Sequence, residues 1–383
     1  MIHNSFLLRM SSLALIVTQL MLSQTAFAKQ EIREPEGATG FNQKKAVSAK
    51  KYMVVAANPY ASEAGLSMLE KGGSAVDAAI AAQLVLSLVE PQSSGLGGGT
   101  FMLHWHKETQ ALTTYDGRET APQAATSELF LNEKGKPLKW SDAVVGGKSV
   151  GVPGLLAALD KAHQQFGVLP WQELFQPAIK LAENGFVVSP RLEKLLGMNF
   201  NPGIHLLPEI KDYFSPNGIG IKAGDILKNP KLAKALTSIA NEGVEVFYNG
   251  WIAKKIVEKV QNSAISPGLL SLDDMKKYQA IERVAVCGPY HQYKVCGMAP
   301  PSSGGITVIQ ILAQLQKFEL SQYPLNSLQA VHLLTQSARL AFADRNKYIA
   351  DSDFVSVPVK GLRAGDYIDK RAALIDEKRD MGR

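Results

Sequence analysis

The sequence predicts a single α/β domain in which mixed sheets pack against layers of helices. Segments with the length and composition of strands lie on both sides of a long stretch with helical spacing, at residues 52–57, 100–106, 111–115, 281–287 and 292–298. Strands that flank a helical middle are typical of helices packed on a mixed sheet. At 46% hydrophobic and 20% charged residues, the chain has the composition of a globular protein able to bury a large core.

The first 28 residues have the pattern of an export signal. Arg9 supplies a basic start, residues 13–22 (LALIVTQLML) form an apolar run, and Ala26-Phe27-Ala28 has the A-x-A pattern of a cleavage site. Ten residues rise about 15 Å as a helix, roughly half of a bilayer core, which favours a signal over a membrane anchor. We therefore expect cleavage after Ala28 and a periplasmic or secreted protein, with no membrane association once the signal is removed.

The remainder divides into a polar, flexible arm at residues 29–51 and one domain at residues 52–383. We predict that residues 52–57 form a buried strand and that Ser74 caps a helix at residues 75–89, which is apolar nearly all round and so should lie centrally. Further helices are predicted at residues 59–70, 153–166, 171–184, 230–241, 251–260, 306–318 and 328–350.

The net charge of residues 29–383 is small. It is +5 once the single Arg of the signal is taken from the +6 of the whole chain. Nucleic-acid binding calls for a basic stripe interleaved with aromatic residues, which this sequence lacks. We therefore expect no nucleic-acid partner.

The two cysteines, Cys287 and Cys296, stand in two predicted strands joined by a turn at residues 288–291. A hairpin would bring them close together, and an exported protein can keep a disulfide. Two buried free thiols are the alternative. Two thiols alone do not complete a tetrahedral metal site.

Two glycine-rich segments have no assigned chemistry. Residues 93–99 (SSGLGGG) run from a helix to a strand and lack the lysine of a phosphate loop, which indicates a structural turn. Residues 300–305 (PPSSGG) lead into a helix, where they either cap it or bind an anion. His104 and His106 share a strand face, but no third ligand is evident, so we predict no metal site.

Arg118 is the candidate binding residue. It follows a strand at an Asp-Gly turn, in residues 115–122 (YDGRETAP). A guanidinium at that place can offer a rigid fork to a carboxylate, which belongs either to a ligand or to a neighbouring Asp or Glu. The local sequence leaves both interpretations open.

Several motifs occur in the order typical of the γ-glutamyltransferase family, which the chain resembles over residues 52–376. They are SGLGGGTFML at 94–103, DGRETAP at 116–122, GVPG at 151–154, PPSSGG at 300–305, ADR at 343–345, DSDF at 351–354 and VPVKGL at 357–362. Each motif alone is a weak signal, whereas the ordered set is specific.

The resemblance implies an N-terminal-nucleophile hydrolase fold, a four-layer αββα sandwich of which this chain supplies the large-subunit part. A family precursor cuts itself, and the threonine freed at the start of the small subunit attacks the γ-glutamyl amide. The family's cut lies shortly beyond the point matched by Asp376, and residues 377–383 (EKRDMGR) contain no threonine. We therefore expect no catalytic residue in this chain, no activity of the chain by itself, and no cofactor.

The resemblance also assigns Arg118 to the α-carboxylate of the γ-glutamyl group. The implied partners are glutathione or another γ-glutamyl compound and a small subunit that carries the N-terminal threonine. Two other functions stay open: a related acylase that removes a glutaryl-like group from a β-lactam, and an exported binding protein without catalysis. The sequence is part of a precursor, a truncated product, or a large subunit whose partner is made separately.

Overall fold

The computed structural model describes residues 45–198 and 202–382. The predicted signal, its cleavage after Ala28 and most of the predicted arm lie outside the described residues. The helices are α1 (Pro59–Glu70), α2 (Ala75–Val89), α3 (Trp140–Val144), α4 (Leu155–Phe166), α5 (Trp171–Asn184), α6 (Pro190–Gly197), α7 (Gly203–Leu206), α8 (Pro208–Phe214), α9 (Pro230–Glu242), α10 (Glu245–Tyr248), α11 (Trp251–Gln261), α12 (Leu272–Lys277), α13 (Gly304–Leu315), α14 (Leu328–Tyr348) and α15 (Gly365–Ala372). Within the described ranges, no helix is both long and apolar enough to cross a membrane.

In the part of the chain that the structure describes, the strands form three small antiparallel sheets. They are β1 (Thr100–His106), β2 (Ala111–Gly117), β3 (Phe186–Val187), β4 (Ile226–Leu227), β5 (Ile281–Glu282), β6 (Val286–Tyr290) and β7 (Tyr293–Gly297). The sheet order is β1-β2-β5 in the largest, with β3-β4 and β6-β7 as separate pairs. Met102 lies opposite Tyr115, and Tyr115 in turn lies opposite Glu282, which sets the register of the three-stranded sheet.

Helix α2 is the centre of the fold, as its composition predicts. The Ser74 side chain accepts a hydrogen bond from the Asp77 backbone, and the Asp77 carboxylate accepts one from the Ser74 backbone, so the predicted cap is a full capping box. Eleven of its fifteen residues are buried. Each large apolar side chain removed from water in this way stabilises the fold by about 1.5–3 kcal/mol.

One continuous core joins α1, α2, α4, α5, α9 and α11 to the inner face of the β1-β2 hairpin. Residues 286–375 pack differently, around two small apolar clusters. The first contains Val286, Ile306, Ile309 and Leu362. The second contains Leu315, Leu333, Leu340 and Ile375.

Two predictions about strands were wrong. Residues 52–57 do not form a buried strand: the segment joins no sheet, and Tyr52, Met53 and Val55 are exposed. The apolar composition of this segment is typical of a strand. A strand forms only where a neighbouring strand can pair with it, and none of the described residues pairs with residues 52–57 in this way. The second error concerns the cysteine hairpin. Residues 281–287 are not one strand but β5 and the start of β6, which lie in different sheets, and β6 continues through Tyr290, so the turn lies at residues 291–292.

Cys287 and Cys296 lie directly opposite each other in that hairpin, and the structure joins them by a disulfide. The oxidised state in solution stays a prediction. Titration of the unreduced, unfolded chain should detect no free thiol, and two free thiols would show that the bridge does not form.

Candidate functional site

The glycine-rich loop, the Asp-Gly-Arg turn and the Gly-Val-Pro-Gly segment meet at one place. The Gly98 carbonyl accepts hydrogen bonds from the backbone N–H groups of Gly154 (3.1 Å) and Leu155 (3.0 Å), so the loop satisfies the first donors of α4. The Val152 N–H donates to the Thr120 carbonyl at 2.8 Å. Three motifs that are separate in sequence therefore form one structural unit.

Close backbone contact explains why glycine occupies these positions. A Cβ added at Gly99 would lie 2.7 Å from the Gly117 carbonyl oxygen. One added at Gly154 would lie 2.1 Å from the Tyr278 hydroxyl and 2.2 Å from the Gly117 carbonyl. No side chain fits at such distances, so the glycines allow the loop, the turn and α4 to come together. The interpretation of residues 93–99 as a structural turn agrees with this packing.

Arg118 stands at the centre of this unit, immediately after β2. Its backbone N–H donates to Asp116 Oδ1 at 2.9 Å, and its carbonyl accepts from the Tyr278 hydroxyl at 2.7 Å. Its side chain is 60% exposed, with Nη1 2.9 Å from Glu119 Oε2. The backbone is held on both sides while the guanidinium faces solvent with one neighbouring carboxylate. This geometry accommodates a ligand carboxylate as well as the ion pair, so the binding role of Arg118 stays a prediction.

A second arginine, Arg283, supports the Asp-Gly-Arg turn through Asp116. Arg283 Nε donates to Asp116 Oδ2 at 2.6 Å, and its two terminal nitrogens donate to the two oxygens of Asp353 at 2.9 and 2.6 Å. Asp353 belongs to the DSDF motif, and Arg283 lowers the pKa of its carboxyl below the ordinary value. The two carboxylates beside it raise the pKa of Arg283, which therefore stays charged.

Two tyrosines brace the same unit. Tyr278 and Tyr248 stack with ring centroids 6.0 Å apart, and the Tyr248 hydroxyl donates to the Pro153 carbonyl at 3.0 Å. Burial, with the nearby charges of Asp116 and Glu119, raises the pKa of Tyr278. Both hydroxyls therefore stay protonated and serve as neutral donors.

Sequence reasoning missed Arg283 and Tyr278. Both lie more than 150 residues from Arg118 along the chain, and neither has a local pattern that indicates a site. The one indirect signal for Arg283 was the pair of motif acids, Asp116 and Asp353, because carboxylates that become partly buried on folding need a cationic partner.

Among the described residues, the other predicted features make no hydrogen bond or ion pair with the Arg118 side chain. In the PPSSGG segment the Ser303 side chain makes no cap, and Ser302 Oγ instead accepts from the Gly304 N–H at 3.2 Å. His104 packs on Phe166 with ring centroids 4.1 Å apart, and burial lowers its pKa. In the described part of the chain, no group of three or more His, Cys, Asp or Glu side chains could hold a metal ion.

Comparison with solved structures defines the class. The structure of Helicobacter pylori gamma-glutamyltranspeptidase superposes with a TM-score of 0.82 at 33% identity, covering 87% of this chain and 94% of that one. The gamma-glutamyltranspeptidase from Pseudomonas nitroreducens, complexed with L-DON, gives 0.79 at 34% identity, covering 87% and 97%. The fold is therefore that of the N-terminal-nucleophile hydrolases, as the sequence resemblance predicted.

Sequence comparison identifies the family. The family described as Gamma-glutamyltranspeptidase matches residues 61–383. The glutathione hydrolase proenzyme of Bacillus subtilis (strain 168) is 38% identical over 363 residues, 95% of this chain and 61% of that protein. The acylase ACY 1 proenzyme of Pseudomonas sp. (strain SE83) is 36% identical over 340 residues, 87% and 60%. The chain belongs to the gamma-glutamyltranspeptidase family, a family of enzymes, and spans about three fifths of the length of these relatives.

Proposed function

We propose that this chain is the large-subunit part of an exported glutathione hydrolase and γ-glutamyltransferase. Arg118 binds the α-carboxylate of the γ-glutamyl group and so places the γ-amide next to the nucleophile. That nucleophile is the N-terminal threonine of a small subunit, freed by self-cleavage of the precursor. The observation that carries the proposal is the exposed guanidinium of Arg118 on a backbone fixed at both its N–H and its carbonyl.

The reaction needs little from this chain beyond orientation. The threonine hydroxyl attacks the γ-carbonyl, its own α-amine takes the proton, and the amine of the substrate leaves. The resulting glutamyl ester then passes its acyl group to water or to an acceptor amine. Two N–H groups of Arg118 aligned with the two carboxylate oxygens would fix the glutamyl group in one orientation, which raises the rate of attack.

The surface of α14 supports a two-subunit assembly. This helix exposes Leu328, Val331, Leu334 and Phe342, while Gln336, Ser337 and Asp344 are buried. Positions 331, 334, 338 and 342 repeat with the spacing of one helix face. A helix that leaves several large apolar side chains exposed on one face, while its opposite side is buried, has an outer face suited to a partner. The part of the proenzymes that this chain does not match is the natural candidate for that partner.

The β1 strand supports the same assembly. His104 and His106 pack on Phe166 of α4, so the alternate residues Leu103 and Trp105 point to the other face, where both are exposed. A sheet covered by helices on one face and exposing large apolar residues on the other lacks its second layer. In the αββα sandwich that layer is another sheet, which the small subunit would help to form.

Arg118 is tested in the two-subunit form with Arg118→Lys and Arg118→Ala. We expect both to lose about 2–4 kcal/mol of transition-state stabilisation, because a lysine cannot reproduce the bidentate contact. The measurement is kcat/KM on a γ-glutamyl anilide, with self-cleavage followed on gels. Lys71→Ala, which breaks the exposed Lys71–Glu173 pair, is the matched control and should change nothing. Normal turnover by both Arg118 variants would show that Arg118 only pairs with Glu119.

The assembly is tested with Phe342→Glu, which places a charge on a side chain that is 52% exposed in the chain alone. We expect this variant to fold normally but to lose co-purification with the unmatched part of the Bacillus subtilis proenzyme. Val168→Glu, at an exposed apolar position between α4 and α5, is the control and should retain it. The isolated chain should show no γ-glutamyl hydrolysis; robust turnover would reveal another nucleophile.

Export is tested by N-terminal sequencing of the extracytoplasmic protein, which should begin at Lys29. A protein that keeps Met1 in the membrane fraction would contradict it. The acylase relative makes a glutaryl-β-lactam the second substrate to assay. A clear preference for that substrate over a γ-glutamyl anilide would replace the proposed activity by acylase activity.

A further inference from the structure

Arg283 is a largely buried cation whose guanidinium contacts other side chains of the chain. Its side chain is 13% exposed, and all the contacts of its guanidinium described above go to two carboxylates, Asp116 and Asp353. Asp116 is more deeply buried, at 6% side-chain exposure. A charge taken out of water at such a place is tolerated only with full pairing, so this arrangement requires all three groups together.

The contacts run from Arg283 directly to the backbone of Arg118. Asp116 uses one carboxylate oxygen for the Arg283 side chain and the other for the Arg118 N–H. The orientation of the Asp116 carboxylate therefore sets the position of the Arg118 backbone. Arg283 contacts Asp116 through Nε and Asp353 through its two terminal nitrogens, so one planar group joins the two carboxylates and orients that of Asp116.

We propose that Arg283 is a positioning residue for substrate binding: together with Asp353 it holds Asp116 so that the Arg118 guanidinium meets the α-carboxylate of the γ-glutamyl group. This inference rests on the proposed function of Arg118. Lysine at position 283 cannot replace it, because an ammonium is a single charged group and cannot contact Asp116 and both oxygens of Asp353 in one plane.

The backbone of Arg283 is held independently of its side chain. Its N–H donates to the Thr114 carbonyl at 3.2 Å, and its carbonyl accepts from the Thr114 hydroxyl at 2.5 Å. A substitution at position 283 therefore leaves the path of the chain beside β2 supported. We therefore expect Arg283→Lys to fold. Asp353→Asn is a milder variant, because it weakens only the contact of Arg283 with position 353 and leaves the contact with Asp116 in place.

The test compares two substrates in the two-subunit form: a γ-glutamyl anilide and the 4-aminobutyryl anilide, which is the same molecule without the α-carboxylate. Arg283→Lys should lower kcat/KM for the γ-glutamyl anilide by about 10- to 100-fold, mainly through KM, because a small displacement of a binding group costs that much. Turnover of the 4-aminobutyryl anilide should change less than about twofold. Asp353→Asn should show the same selectivity with a smaller loss.

Each outcome decides between the two proposals. A loss of equal size on both substrates means that Arg283 is structural only, and this inference fails while the role of Arg118 stands. If Arg118→Ala itself leaves the ratio of the two substrates unchanged, the proposed function of Arg118 fails and the inference fails with it. A ratio that falls in Arg118→Ala, Arg283→Lys and Asp353→Asn supports both.

Discussion

The two parts of the described chain are stabilised by different means. Up to residue 280, helices surround α2 in one continuous apolar core, and side chains such as Phe175 and Leu84 are fully buried. From residue 286 onward, two apolar clusters of four residues each are supplemented by buried polar groups. Such groups also occur in the first part, Asp77 and Glu90 among them, but they are denser along this shorter stretch. Gln310, Gln314 and Asp344 lie in this second part with almost no exposure. The first part holds one continuous apolar core, whereas the second combines small apolar clusters with polar contacts between its helices.

The polar contacts of the second part are specific. Asp344 accepts hydrogen bonds from Gln310 Nε2 at 3.0 Å and from the Tyr367 hydroxyl at 2.8 Å, and it pairs with Arg371 at 3.0 Å. These contacts join α13, α14 and α15 around one carboxylate. Polar networks of this kind fix a single arrangement of helices but contribute less net stability than an apolar core of equal volume.

The largest effect on the unfolding free energy should come from a substitution in the core around α2. Phe175→Ala removes a fully buried ring from α5 and leaves a cavity, which typically costs about 3–5 kcal/mol. Chemical denaturation of the whole chain should show this loss as a lower midpoint. Phe354→Ala, at a side chain that is almost fully exposed, is the matched control and should change the unfolding free energy very little. Equal effects of the two variants would contradict the burial of Phe175 in the first core.

A substitution in the second part should destabilise that part alone. Asp344→Asn removes the charge that pairs with Arg371 and should cost about 2–4 kcal/mol, since it leaves a largely buried guanidinium without its carboxylate. Hydrogen exchange should become faster in α13, α14 and α15 while α2 and α5 keep their protection. Asp369→Asn, which breaks an exposed pair with Lys317, is the control. A uniform loss of protection in both parts would show that the chain unfolds as one unit.

The difference between the parts also explains what the sequence could predict. Helices α2 and α9 follow from local rules, because Ser74 and Asn229 cap them and their apolar positions face one core. The motif at Arg118 is equally local. Arg283 and Tyr278 could not be found in this way, since their roles arise from contacts across more than 150 residues. Residues 52–57 were misassigned because a continuous apolar segment (YMVVAA) gives the same pattern whether or not a partner strand is present.

The smallest effect on the unfolding free energy should come from the ion pair between Arg283 and Asp353, which links the two parts. Arg283 lowers the pKa of Asp353 below its ordinary value of 3.8. Because the folded-state pKa is the lower one, the ionised carboxylate stabilises the folded chain above pH values of about 3.8, and this contribution disappears as the pH falls through the folded-state pKa. Asp353 is 45% exposed, so solvent screens the pair, and Asp353→Asn should cost about 0.5–1 kcal/mol at neutral pH.

The pH dependence separates this contact from a general effect of the substitution. The difference in unfolding free energy between wild type and Asp353→Asn should shrink as the buffer is acidified through the folded-state pKa of Asp353, which lies below 3.8, since both side chains are neutral beyond that point. Asp273→Asn, which breaks the exposed pair with Lys277, is the control and should cost no more than about 0.5 kcal/mol at any pH. A difference for Asp353→Asn that is constant from neutral to acid pH would mean that its charge does not hold the two parts together, and that the stabilising contact of Arg283 is with Asp116 alone.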